Sequence, residues 1–108
     1  MIKLKDLLIE ASNTKKGFEV IRTLTHGHPL KFGRMTKAKW VQHHATGIIF
    51  GGGKYKGGNT GAQIFTQGGD KYRVEILKAI SPKPRISKKI KNVEGDMLYS
   101  TLKQHLGI

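Results

Sequence analysis

The sequence contains no cysteine, few acidic residues and no long apolar stretch, and each absence excludes a class of protein. Without cysteine the chain has no disulfide bond, thiolate nucleophile or zinc–thiolate site. The sequence therefore does not indicate whether the protein resides in an oxidising or a reducing compartment. No apolar run approaches about 18 residues, so no segment is predicted to span a membrane. Only 7 Asp and Glu stand against 20 Lys and Arg, which gives a formal net charge of +13.

This charge imbalance predicts a polyanionic partner. The 108 residues form one domain by length, and 37% of them are hydrophobic, which suffices for a small core. A surface that served solubility alone would mix both signs of charge, whereas an unbalanced one attracts nucleic acid or an acidic protein surface. We expect binding to nucleic acid, DNA in particular, without sequence preference, because the sequence carries no base-reading motif.

The start of the chain has the spacing of one amphipathic helix, with an apolar residue at i, i+3, i+4 and i+7. These residues are Leu4, Leu7, Leu8 and Ala11. Residues 11–17 collect cap and turn formers and predict a linker that ends this helix. The chain is therefore predicted to divide into a leader helix at 1–10, a linker at 11–17 and a basic domain at 18–108.

The basic domain is predicted to be α+β: a small antiparallel sheet with two packed helices, behind a separable N-terminal amphipathic helix. Alternating or β-branched patterns predict strands at 18–24, 48–50, 62–66 and 72–80, and residues 81–91 predict an extended surface strand or linker. Residues 37–45 predict a helix docked by Trp40. Leucines at i, i+4 and i+8 predict a C-terminal helix capped by Gly107. They are Leu98, Leu102 and Leu106.

Basic and aromatic residues in three segments are the candidates for nucleic-acid contact. The middle segment is rich in glycine, since nine of the 14 glycines lie between Gly47 and Gly69. It is predicted to be either a mobile hairpin tip or a loop that closes on a ligand, and it matches neither a Walker motif nor a dinucleotide fingerprint. The candidates are Lys31, Arg34, Lys37 and Lys39; Lys54, Tyr55 and Lys56; and Lys83, Arg85, Lys88, Lys89 and Lys91.

Four histidines suggest an enzymatic alternative. Two of them can serve as acid and base in RNA cleavage, with Lys31 or Arg34 stabilising the charged transition state. That hypothesis of a small toxin-type ribonuclease requires the histidines to converge in one cleft, and it needs no metal or other cofactor. The competing interpretation gives them packing and hydrogen-bonding roles, and it is the one we favour. The four are His26, His28, His43 and His44.

The end of the leader helix carries a short motif, Leu8-Ile9-Glu10 followed by the small residue Ala11. In this respect the chain resembles the internal head proteins of T-even-like tailed phages, whose capsid-targeting leaders end at a prohead protease site of the type Leu/Ile-x-Glu-small. The resemblance covers about the first eleven residues. It implies that Leu4, Leu7 and Leu8 bind the prohead scaffold and that the protease cuts after Glu10.

The same resemblance implies a small basic virion protein, packaged with the genome in the capsid interior and then delivered to the host cytoplasm, where it counters host defence. Removal of residues 1–10 takes away two basic and two acidic residues, so the charge stays at +13. A second alternative is an inhibitor of a host restriction nuclease that binds an acidic surface of that enzyme. We expect no cofactor, metal or membrane partner.

Overall fold

The computed structural model describes the backbone of residues 4–108 and the side chains of residues 14–108. Its centre is a five-stranded antiparallel sheet in which each strand pairs with the next along the chain. The strands are β1 (Trp40–His44), β2 (Gly47–Gly51), β3 (Gly61–Thr66), β4 (Lys71–Ala79) and β5 (Arg85–Glu94). The predicted α+β fold with a small antiparallel sheet is confirmed.

Three α-helices accompany the sheet: α1 (Leu4–Leu24), α2 (Phe32–Thr36) and α3 (Leu98–Leu106). Short 3-10 turns occupy Pro29–Lys31, Lys56–Gly58 and Gly95–Met97. Gly107 adopts a left-handed conformation at the end of α3 and donates its N–H to the carbonyl of Lys103, which confirms the predicted C-cap. No helix in residues 4–108 is both long and apolar enough to cross a bilayer.

The prediction of a linker at 11–17 and a strand at 18–24 is wrong, because α1 runs without a break through both segments. Val20, Ile21 and Leu24 are buried at i, i+1 and i+4, which is a helical stripe, while Phe18 is half exposed. Gly17 resembles a helix-ending signal but serves close packing. A Cβ there would overlap Nδ1 of His43 and lie 2.9 Å from the carbonyl oxygen of Gly47.

The predicted helix at 37–45 is also wrong, since Trp40–His44 is the edge strand β1. Its side chains alternate between the two faces of the sheet, but the alternation is weak in sequence because polar residues occupy both faces. His43 packs towards α1 with its ring 4.6 Å from that of Phe18. His44 points to the opposite face, where its ring lies 4.8 Å from Phe65.

The predicted strands at 48–50, 62–66 and 72–80 are confirmed, and residues 85–94 form a full strand. One face of the sheet packs beneath the helices. α1 crosses the sheet from β1, where Gly17 meets His43, to β4, where the Thr23 hydroxyl lies 3.0 Å from that of Tyr72. The main buried residues of this face are Ile48, Phe50, Ala62, Ile64, Tyr72, Val74 and Ile76, packed against Leu98, Leu102 and Leu106 of α3.

Candidate nucleic-acid interface

Positive charge collects at one end of the sheet, which we call the basic end. β1 and β5 begin at this end, and it also holds the loops that connect β2 to β3 and β4 to β5. No acidic residue occurs between Glu19 and Asp70 or between Glu75 and Glu94, so these segments carry no negative side chain. The basic end comprises Lys37, Lys39, Lys54, Lys56, Lys78, Lys83 and Arg85.

The described acidic side chains other than Glu75 lie at the opposite end of the strands, where α1 also carries Lys15, Lys16 and Arg22. Glu19 lies in α1 between Gly17, which meets Gly47, and Thr23, which contacts Tyr72. Burial raises the pKa of Tyr72, its hydrogen bond with Thr23 lowers it, and the charges of Glu19 and Asp70 raise it. Asp70 lies in the turn before β4 and accepts the backbone N–H of Gly95 at 3.0 Å through its carbonyl. Glu94 ends β5 and pairs with Lys71 at 2.9 Å. Apart from Glu75, the described acids are therefore kept away from the basic end.

The sheet face that points away from the helices, which we call the open face, has aromatic rings lying beside glycines. Trp40 is paired with Gly51, and Gly51 with Gly61, so neither neighbouring strand presents a side chain next to the indole. A Cβ at Gly51 would lie 2.9 Å from Cζ2 of Trp40 and 2.7 Å from Cδ1 of Ile80. Gly51 is required because the indole and Ile80 occupy the space of its missing side chain, and a Cβ at Gly61 would overlap the carbonyl oxygen of Phe50.

A second aromatic group crosses the same face near the other end of β1. His44 pairs with Gly47, which in turn pairs with Phe65, so the two rings meet across the glycine. The guanidinium of Arg73 lies 4.2 Å from the centre of the Phe65 ring, a cation–π contact. Burial lowers the pKa of His44, so the imidazole is held as the neutral partner in this stack.

Between the two aromatic groups lies a buried carboxylate. Glu75 is only 4% exposed, and its Oε1 accepts a hydrogen bond of 2.6 Å from Nε2 of Gln63. Its Oε2 lies 3.2 Å from Nε of Arg73 and 3.6 Å from Nζ of Lys89. The Arg73 contact is an ion pair without hydrogen-bond alignment. Glu75 therefore holds two cations in place without exposing negative charge.

The predicted basic residues of the last segment lie on and beside the edge strand β5. Arg85 pairs with Ala79 and Lys89 with Glu75, and Lys91 follows by alternation, so all three belong to the open face. Lys88 pairs with Ile76 and faces the helices. Among the residues whose side chains are described, Lys83, Arg85, Lys88 and Lys91 form no ion pair, and all four are exposed.

The first basic segment surrounds α2 on the helix-covered side. Phe32 anchors α2 by an edge-to-face contact with Phe50, with ring centres 5.6 Å apart. The structure thus separates this segment from β5, although both reach the basic end. The four cations, Lys31, Arg34, Lys37 and Lys39, are all exposed.

The glycine-rich loop between β2 and β3 is tied down rather than free-standing. Lys78 Nζ donates to the carbonyl of Gly57 at 2.6 Å, and the Ser87 hydroxyl donates to Oδ1 of Asn59 at 2.8 Å. Lys54 and Lys56 are exposed. Tyr55 is a correction: it is 6% exposed and its hydroxyl donates to the carbonyl of Thr36 at 2.8 Å. Its ring is therefore not available for stacking on a base.

The histidines do not converge. His43 and His44 occupy opposite faces of β1, and His26 and His28 lie in the exposed turn after α1. The described residues include no group of three or more histidine, aspartate or glutamate side chains placed to hold a metal ion. This arrangement gives the ribonuclease hypothesis no common cleft.

Sequence reasoning missed the residues of the open face, above all Trp40, Phe65 and Arg73. The alternation of apolar and polar residues in 72–80 predicted that Arg73 points away from the core. Its neighbours on the adjacent strands follow only from strand order and register. The side chains of the predicted leader sites, Leu4, Leu7, Leu8, Ile9, Glu10 and Ala11, lie outside the described side chains. Comparison of the chain with protein-family models, curated proteins and solved structures finds no match.

Proposed function

We propose that this protein binds nucleic acid without sequence preference, through the basic end and the adjoining part of β5. The observation that carries the proposal is the separation of charge along the strands: cations without acids at one end, and Glu19, Asp70 and Glu94 at the other. A surface with several cations and no acid among them attracts a polyanion.

The cations of this surface are free to bind phosphate. Lys54, Lys83 and Arg85 are exposed and form no ion pair with a described acid, so contact with phosphate breaks no interaction within the protein. Each phosphate contact releases a counterion, so affinity falls with salt at a logarithmic slope of about −0.9 per contact on duplex DNA. No helix or ribbon with a base-reading pattern accompanies these cations, which favours contact with the backbone.

We further propose that the protein is a virion protein of a tailed phage, packaged in the capsid interior with the genome and acting later in the host cytoplasm. This part rests on the resemblance of residues 1–11 to capsid-targeting leaders and on the basic charge of the remainder. The partners it implies are the prohead scaffold and prohead protease. The Glu10–Ala11 bond lies within α1, so cleavage there requires local unwinding of the helix.

A pair of charge variants tests nucleic-acid binding. Replacing two cations of the basic end, in K54Q/R85Q, is expected to weaken binding to duplex DNA and to reduce the salt slope by about 0.9 for each lost phosphate contact. The matched control K15Q/K16Q removes the same charge from exposed positions on α1 and is expected to keep most of the slope. Affinities are measured by fluorescence anisotropy across a salt series.

Equal losses in the two variants would show that net charge alone drives binding and would overturn the assignment to the basic end. An absence of DNA and RNA binding at low salt would overturn the proposal entirely. Tight, stoichiometric binding to an acidic host nuclease would then favour the inhibitor hypothesis.

A further inference from the structure

We propose that the open face binds single-stranded nucleic acid, with a base stacked on Trp40 and the phosphates directed to the cations of β5. This inference rests on the proposed function and deepens it, because it names the form of nucleic acid. It is argued from the aromatic and polar groups of the open face, which binding to phosphates by charge alone would not need.

Trp40 has the properties of a stacking platform. It is the only tryptophan of the chain, it lies at the start of the edge strand β1, and it remains 38% exposed. Positions Gly51 and Gly52 bring the backbone close beneath it: a Cβ at Gly52 would lie 3.2 Å from Cδ1 of the indole. A large apolar ring held against backbone and open to solvent can bind another flat ring, and base–aromatic stacking tolerates every sequence.

Trp40 belongs to a wider surface that matches a strand with unpaired bases. Gln42 is exposed two residues further along β1, on the same face, and offers amide donors and acceptors. Arg85, Lys89 and Lys91 lie at the opposite edge, four strand spacings or about 19 Å away. A duplex keeps the faces of its bases stacked inside, so only a single strand offers a base that can stack on the exposed indole.

The negative charges on this face are neutralised, so they do not repel phosphate. Glu75 is buried against Arg73 and Lys89, and Glu94, at the far end, is paired with Lys71 at 2.9 Å. Arg73 is in turn fixed by its contact with the Phe65 ring. The face thus offers cations at one edge and a ring at the other, and a single strand that crosses the sheet can contact both.

The fluorescence of Trp40 reports binding at the proposed site directly. Oligothymidine and oligouridine are expected to quench it, and a duplex of the same length is expected to quench it less and to bind more weakly at equal salt. Stronger quenching by either single strand than by the duplex supports the proposal, and equal quenching by the duplex contradicts it.

Substitutions separate stacking from folding. W40L keeps an apolar side chain and is expected to lower single-strand affinity about tenfold, whereas W40F keeps a ring and loses less. V41A is the matched control, because Val41 has nearly the same exposure, at 39%, but points to the other face of β1. It is expected to leave affinity within about twofold, since it removes no stacking surface.

Three results would overturn this inference. If the wild type bound single strands and duplex with equal affinity and W40L bound as tightly as the wild type, the proposed function would stand, but the open face would not be the binding site. A dimer of the wild-type protein that W40L converts to a monomer would assign the face to a contact between copies. An absence of all nucleic-acid binding would remove the inference together with the proposed function.

Discussion

At the scale of single residues, Gly17 shows how a position in a helix is fixed by a partner distant in sequence. The ring of His43 and the carbonyl of Gly47 occupy the space of a Cβ at this position. We predict that G17A lowers the free energy of unfolding by about 1–3 kcal/mol, because overpacking outweighs the gain of about 1 kcal/mol in helix propensity. Urea denaturation measures the change.

Gly33 provides the control, since it lies in α2 with no atom within 4 Å of a Cβ built there. G33A is expected to leave the free energy of unfolding unchanged or to raise it by up to about 1 kcal/mol. If G17A were as stable as G33A, the close packing of α1 on β1 would be wrong.

His44 gives the fold a predicted dependence on pH. Burial lowers its pKa below the ordinary value of 6.5, so the unfolded chain binds the proton more tightly than the folded protein. Protonation therefore favours unfolding, and the contribution is fully present above pH 6.5 and is lost as the pH falls towards the lowered pKa. We predict that H44Q loses less stability than the wild type between pH 7.5 and pH 5, as followed by urea denaturation at each pH. Parallel curves for the two proteins would contradict the assignment.

At the scale of elements, strands with a clear alternation of apolar and polar residues in the sequence were predictable. β4 is the best example, with Tyr72, Val74 and Ile76 buried on one face. α1 and β1 were not, because each depends on the other. The β-branched residues in 18–24 favour a strand by local propensity, but packing against the sheet stabilises a helix there. In β1, polar side chains occupy both faces, so the sequence shows no alternation of apolar and polar residues.

The leader segment carries a prediction of its own. Co-expression with the prohead protease of a T-even-like phage is expected to yield a chain that begins at Ala11, because Leu8-Ile9-Glu10 matches the cleavage pattern. Intact mass spectrometry measures this, and E10Q, which removes the carboxylate that the pattern requires, is expected to stay uncut. Cleavage elsewhere, or none in either protein, would contradict the leader assignment while leaving the nucleic-acid proposal unaffected.

At the scale of the whole molecule, the polarity of the surface emerges from topology. The sequence shows an excess of cations and the positions of the few acids, but not which end of the sheet each reaches. A meander places alternate loops at opposite ends, so the loop with Lys54 and the turn with Lys83 share one end, while Asp70 lies at the other. The sequence does not give the strand order, and without that order neither the basic end nor the open face could be predicted.

The measurement that tests the account most directly is amide chemical-shift mapping of the labelled protein by NMR during titration with oligothymidine. The account predicts that the largest changes fall on Trp40, on the loop around Lys54 and on Arg85 to Lys91, with little change in α1 or around Asp70. Changes concentrated on α1 and α3, or spread evenly over the surface, would contradict it.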